Sequence, residues 1–458
     1  MFSDALRCPE FSNLFEEVFM KHLLIFTRFA LIVLLFIPSG SFADKDGAIQ
    51  LNKGPRGPIT LKEAVALALL NNPQLQVFSF EQRAREARAL QSGLMPNPQL
   101  DIMVEDAAGS GNFNGFNQSQ TTIQLSQLVE LGGKRAARLR ANTLSKKLAD
   151  WDYETKRMQV LTQVVKAYAE VLKAQQQISL TEDLVHLGQK FLDAVDERVK
   201  AGKVALLEKT KSEISLSSMQ IELKKAKREL KVARSNLSVT WGSPQPQYES
   251  ALGDLFEISR IPTLESLMER LINNPDLARW TTETEQRQAV LDSELSKRIP
   301  DVTLQGGFRR LETTDDNALI FGISIPLQLF NRNQGAIEEA RHKLGKVQAE
   351  KRAMEVSIKK NLLETYNTLV FFHSQVISIK AEILPGAQKA FDGINEGYRF
   401  GKFGYLDVLD SQKTFFQAKR QYLDSLANYH IAVADIERLI GEPLAAFTPT
   451  AIKGEPGQ

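Results

Sequence analysis

Between Gln99 and Ser126 apolar and polar residues alternate. Leu100, Ile102 and Val104 interleave with Asp101, Met103 and Glu105, residues 107–118 are rich in Gly and Asn, and Thr121, Ile123 and Leu125 interleave with Thr122, Gln124 and Ser126. A period of two around such a turn predicts a β-hairpin, at 98–129, with one apolar and one mostly polar face. The pattern returns at 300–329, where Val302, Leu304 and Phe308 precede a turn and Leu319, Phe321, Ile323, Ile325 and Leu327 stand against Gly322, Ser324 and Gln328. These strands are about ten residues long, the length of a tilted membrane-spanning strand.

Around each hairpin the period lengthens to that of a helix. Thr60 and Thr263 cap helices predicted to about Leu94 and Arg298, each interrupted early by Asn-Asn-Pro (71–73 and 273–275). No Gly or Pro falls between Lys134 and Leu187, and Leu144, Trp151, Met158, Val165 and Leu172 stand seven apart. This predicts a coiled-coil helix from Gly133 to about Val199, on the order of 100 Å long, with a half-length partner at 206–239. The second half repeats the arithmetic, with 332–399 against 264–298 and 404–440. Stacked end to end, two half-length helices match one long one.

The sequence is written twice. Ile178-Ser179 recurs as Ile377-Ser378, Gln189-Lys190 as Gln388-Lys389, Gly202-Lys203 as Gly401-Lys402, and Gly242-x-Pro244 as Gly441-x-Pro443, every pair 199 apart. Two tandem units of about 200 residues follow. The division expected is an N-terminal extension with signal peptide (1–43), a linker (44–59), a first repeat (60–244), a linker (245–262), a second repeat (263–443) and a C-terminal tail (444–458).

Four amphipathic strands cannot close a barrel, and an open edge in lipid leaves backbone groups unpaired. Oligomerisation has to close it. Two copies would give eight strands filled by side chains and three would give twelve around a lumen, and the mostly polar inner face favours three. The expectation is an α+β membrane protein, mainly α: a homotrimer joining a twelve-stranded barrel in outer-membrane lipid to a helical tube.

The start of the chain fits that location. Lys21 and His22 precede an apolar run from Leu23 to Ile37, and Ser41-Phe42-Ala43 has the small-x-small form of a cleavage site. At about 15 residues the run is short for a bilayer span. Export of a chain beginning near Asp44, from Met20 or Met1, is expected, without Cys8 and without a lipidated cysteine.

Net charge is +2, from 57 basic and 55 acidic residues, which excludes the basic field that tracks phosphates; no nucleic acid is expected. Past the leader the histidines are His186, His342, His373 and His430, with no HExxH and no ligand cluster, so neither a metal site nor another cofactor is expected. Gly132-Gly133-Lys134 lacks the first glycine of a phosphate loop, having Leu128 there. No enzyme emerges. A pore-less periplasmic tether is the competing class, and it has no use for four strands of membrane length.

The duplicated Thr-Leu and Leu-x-Asn-Asn-Pro openings, the Gly-centred helical turns and Gly401-x3-Tyr405-Leu406-Asp407-Val408-Leu409-Asp410 resemble the TolC-like outer-membrane efflux channels over nearly the whole exported chain. Leu128-Val129-Glu130-Leu131-Gly132-Gly133-Lys134-Arg135 and the stretch from Ile325 to Gly335 look like the cobalt-zinc-cadmium resistance branch. The resemblance implies a passive duct for divalent metal cations, fed by an inner-membrane resistance-nodulation-division transporter through a periplasmic adaptor; drug or protein export uses the same scaffold. It further implies that Asp407 and Asp410, three apart on one helix face, line the periplasmic aperture, and that Tyr398 helps hold it closed. The family's gate arginine falls at Phe403. Acidic residues also favour first turns, so Asp407 and Asp410 can be read as capping residues of a helix start. The turns carrying Gly202, Lys203, Leu206 and Glu208, and Gly401, Lys402, Tyr405 and Leu406, are the expected adaptor-docking tips, with glycine where the reversal needs φ > 0.

Overall fold

A computed structural model describes residues 56–444. The expected signal peptide, most of the first linker and the C-terminal tail after Leu444 lie outside the described residues. A two-residue strand β1 (Ile59–Thr60) leads into α1 (Leu61–Asn71) and α2 (Pro73–Ser92), then strands β2 (Gln99–Glu105) and β3 (Gln120–Val129). The long helix α3 (Lys134–Lys200) and α4 (Leu206–Val239) follow, and β4 (Ala251–Leu252) pairs in parallel with β1. The second half runs α5 (Leu264–Arg270), α6 (Pro275–Ser296), β5 (Val302–Leu311), β6 (Asp316–Ser324), α7 (Gln334–Ser378), a π turn (Ile379–Ile383), α8 (Leu384–Arg399) and α9 (Tyr405–Ile440).

Both expected caps are present. Thr60 Oγ1 accepts from Glu63 N–H while Glu63 accepts from Thr60 N–H, a capping box, and Thr263 Oγ1 accepts from Ser266 N–H. The Asn-Asn-Pro motifs do more than interrupt. Asn72 Oδ1 accepts the first free N–H groups of α2, from Gln74 and Leu75 (2.8 and 3.1 Å), while its Nδ2 donates to Thr240 O (2.6 Å) at the end of α4. Asn274 likewise caps α6 through Asp276 and Leu277 N–H and donates to Leu439 O (2.7 Å) at the end of α9. One side chain thus splices the C-terminus of one half-length helix to the N-terminus of another. The duplicated glycines complete the splice: Gly242 (φ +79°) lies where a Cβ would meet Pro73 at 3.2 Å, and Gly441 (φ +74°) lies against Asn273 O. The helical layer therefore orders as α2/α4, α3, α6/α9, then α7/α8.

Trp151, Met158 and Val165 of the expected heptad stripe are only half-buried. Leu144 and Leu172 of that stripe are buried, and Val160, Val164, Tyr168 and Val171 join Leu172 in the core of α3, because neighbours grip that helix from two sides and widen its apolar face. The helix expected over 332–399 also differs. Pro385 has no N–H to give the preceding turn, and the chain passes through the π turn just before it. Leu362, Leu369 and Val376 are buried seven apart, the next step to Leu384 is eight, and seven-residue spacing resumes at Phe391 and Tyr398. The π turn absorbs the extra residue and keeps one seam.

The four strands form one antiparallel sheet, ordered β2-β3-β5-β6. Leu100 faces Leu125, Ile102 faces Ile123, which in turn faces Phe308 and then Leu319, while Leu304 faces Ile323. All of these are exposed, as are Val104 and Phe321, so a continuous apolar face covers the sheet. The other face carries Asp101, Glu105, Thr122, Gln124, Ser126, Gln305 and Arg309, and among the described residues nothing pairs with the outer edges of β2 and β6. The second hairpin ends earlier than expected: β6 stops at Ser324, and Ile325 and Leu327 lie outside it, because Pro326 cannot donate to a ladder. Among the described residues no helix is long and apolar enough to cross a membrane.

The two branch-like stretches serve as joints between sheet and helices. Gly132 and Gly133 turn left-handed (φ +69° and +71°) into α3, and Arg138 then grips both Glu130 oxygens (2.6 and 3.0 Å) and Ser92 O at the end of α2. Lys134 pairs with Asp301 (2.6 Å) before β5. In the second stretch Asn333 (φ +61°) stands at the start of α7 and donates through Nδ2 to Glu294 O and Oε2 of α6.

Candidate functional site at the helical tips

Two helical hairpins end together, α3–α4 and α8–α9. Val195, Tyr398, Tyr405 and Val408 form a small buried cluster there, flanked by Phe191, Val199, Ile394 and Leu409. Phe191 bridges it, with its ring 5.2 Å from that of Tyr398 and 5.6 Å from that of Tyr405.

Tyr398 is the node between the hairpins. The Arg198 guanidinium lies 4.4 Å from its ring centroid and donates through Nη1 to its backbone oxygen (3.0 Å), while the Tyr398 hydroxyl donates to Glu208 Oε2 (3.4 Å). Burial pushes the hydroxyl above its ordinary range, against the pull of Arg198. Cation–π contact of this kind contributes about 0.5–1 kcal/mol when exposed and more when desolvated. Within the first hairpin, Asp196 pairs with Lys200 and Lys209, and their hydrogen bonds hold its carboxyl down at about 2.

Asp407 caps α9: its Oδ2 accepts from Gly404 N–H (2.8 Å). Its exposed side chain also shares a helix face with exposed Asp410. Capping and a lining position are therefore both open to Asp407. Gly202 and Gly401 are left-handed (φ +67° and +75°), and Lys203, Leu206, Lys402 and Leu406 are exposed. Two expected docking residues sit elsewhere. Tyr405 is 4% exposed because it fills the tip core, and Glu208 is half-buried because it turns toward Tyr398.

Phe403, at the family's arginine position, packs on Gly397, where a Cβ would displace its ring. Arg198 was missed by sequence reasoning. An arginine in a helix's last turn reads as an offset to the helix dipole, and nothing in its spacing points to a tyrosine 200 residues away. Among the described residues, no group of three or more His, Cys, Asp or Glu could hold a metal ion. His430 is buried with Nε2 2.9 Å from Leu255 O, and His342 is exposed beside Glu338.

The family model described as outer membrane efflux protein matches residues 64–243 and 267–442. The chain is 33% identical over 421 residues to the cobalt-zinc-cadmium resistance protein CzcC of Cupriavidus metallidurans, covering 91% of this chain and 99% of that one. It is 25% identical over 303 residues to the nickel-cobalt-cadmium resistance protein NccC of Alcaligenes xylosoxydans xylosoxydans, covering 66% of this chain and 68% of that one. A crystal structure of CusC shares the fold, with a TM-score of 0.71 at 18% identity over 83% of this chain and 92% of that one.

Proposed function

Because the chain belongs to the outer membrane efflux protein family, we propose that it is the passive exit duct of a tripartite system that expels divalent metal cations. An inner-membrane resistance-nodulation-division transporter supplies the cargo and the energy, and a periplasmic adaptor joins the two. The metal class follows from the resistance relatives. The observation that carries the duct is the sheet: an exposed apolar face, a polar face opposite, and two unpaired edges.

Three copies close it. β6 of one protomer pairs with β2 of the next, head to tail, giving twelve strands around a lumen. The helical edges support the same ring. α7 exposes Val356, Leu363, Val370 and Ile377 seven apart, and the opposite edge exposes Ile214 and Ile221 on α4 and Val77 on α2, so each edge offers the other an apolar stripe. At the far end, three copies of Asp407 and Asp410 would put six carboxylates around the aperture, with the Tyr398 node holding the two hairpins together and the mouth shut.

Selection of the cargo lies with the pump and adaptor, since conduction favours weak, multiple contacts over a tight site. Deleting the gene should sharply lower tolerance to zinc, cobalt, cadmium or nickel, and complementation with a chain carrying His186, His342, His373 and His430 as Ala should restore it. Unchanged metal tolerance in the deletion strain would overturn the proposal. Failure of the histidine variant at normal trimer levels would mean that the duct itself handles the ion.

A further inference from the structure

Both tips end in the same device. α3 stops in a Schellman turn, with Gly202 N–H donating to Val199 O and Lys203 N–H to Arg198 O (2.9 Å each), and α8 stops alike, with Gly401 to Tyr398 O (3.0 Å) and Lys402 to Gly397 O (2.8 Å). The second residue past such a helix end is commonly apolar and packs back on the last turn. Here it is an exposed lysine in both tips.

From Arg198 to Leu207 and from Gly397 to Leu406 there is no acidic residue, and there are five cations: Arg198, Lys200, Lys203, Arg399 and Lys402. Arg198 is engaged with Tyr398, and Lys200 pairs with Asp196 and Glu197. Among the described residues no hydrogen bond or ion pair holds the side chains of Lys203, Arg399 or Lys402. Beside them Leu206, Leu207, Phe400 and Leu406 are 68, 62, 73 and 66% exposed.

On the duct reading the tips form a collar that receives the periplasmic adaptor, and we propose that the face the adaptor presents to them is an apolar surface bearing carboxylates. Its acids meet Lys203, Arg399 and Lys402, and its apolar side chains cover Leu206, Leu207, Phe400 and Leu406. The inference rests on the duct reading and adds the partner's chemistry. Offsetting the helix dipole accounts for Arg399 in the last turn of α8 but not for lysines beyond the helix ends. The cargo gives a second reason. Three copies would place nine such cations at the rim, just outside Asp407 and Asp410, where an uncovered collar would repel arriving divalent cations. A docked ring of carboxylates cancels that field. The ion pairs, each exposed, then steer and select the partner, and the buried apolar contacts hold it.

The test compares Lys203→Glu/Lys402→Glu with Lys203→Arg/Lys402→Arg in the full chain, expressed in the deletion strain. The reversal is expected to drop metal tolerance to that of the deletion strain with outer-membrane trimers at wild-type levels, and the arginine variant to keep full tolerance. Suppressors of the reversal should be Asp or Glu to Lys or Arg changes in one periplasmic protein. Full tolerance in the reversal variant, or equal loss in the arginine variant, would overturn the collar. A deletion strain with wild-type tolerance would remove the duct reading itself, and the collar with it.

Discussion

Replacing Asn274 by Ala is expected to lower the unfolding free energy by about 3 kcal/mol. The side chain is fully buried, and its loss strips the cap from Asp276 and Leu277 N–H and leaves Leu439 O without its donor. A lost cap costs about 1 kcal/mol and an unsatisfied buried carbonyl about 1–3. Asn72→Ala should behave alike, since Asn72 makes the same three bonds at the other splice. Asn273→Ala is the control: that side chain is exposed, and its change should cost less than 1 kcal/mol. Urea unfolding of the detergent-extracted protein, followed by its helical signal, separates the cases. Equal small losses at Asn273 and Asn274 would show that the splice does not hold the stacked helices.

That asymmetry within one motif marks how far the sequence could be read. Asn-Asn-Pro is legible as a helix break because proline ends a turn and asparagine caps the next, but which helix end receives the second asparagine's amide depends on a partner 168 or 165 residues away. The hairpins were legible because a sheet with one apolar and one polar face imposes a period of two. Their lower limit was not, since Ile325 and Leu327 keep the apolar alternation past the point where Pro326 ends the ladder. The eight-residue step from Val376 to Leu384 was visible in principle, but Pro385 falls where one long helix was expected, and only packing shows that the seam continues through it. At the tips, turn position suggested docking for Tyr405, whereas its neighbours Val195 and Val408 make it core. Arg198 needed the fold.

On the proposed reading that Asp407 and Asp410 line the aperture of a three-copy duct, neutralising them should change what it conducts. Asp407→Asn/Asp410→Asn removes six charges from three copies, while an asparagine oxygen at 407 can still accept from Gly404 N–H, so the helix start survives. Charges that line a narrow hole are less screened than those elsewhere on a wet surface. Planar-bilayer recordings of the variant should give a larger conductance or a cation preference that falls toward none. Selectivity equal to wild type would move the constriction elsewhere.

The copy number in the detergent-extracted particle bears most directly on the central claim, that a sheet with two open edges closes into a duct. Native mass measurement should find three chains per particle. Stable particles of one or two chains would leave the edges of β2 and β6 without the partners that lipid demands and would contradict the account.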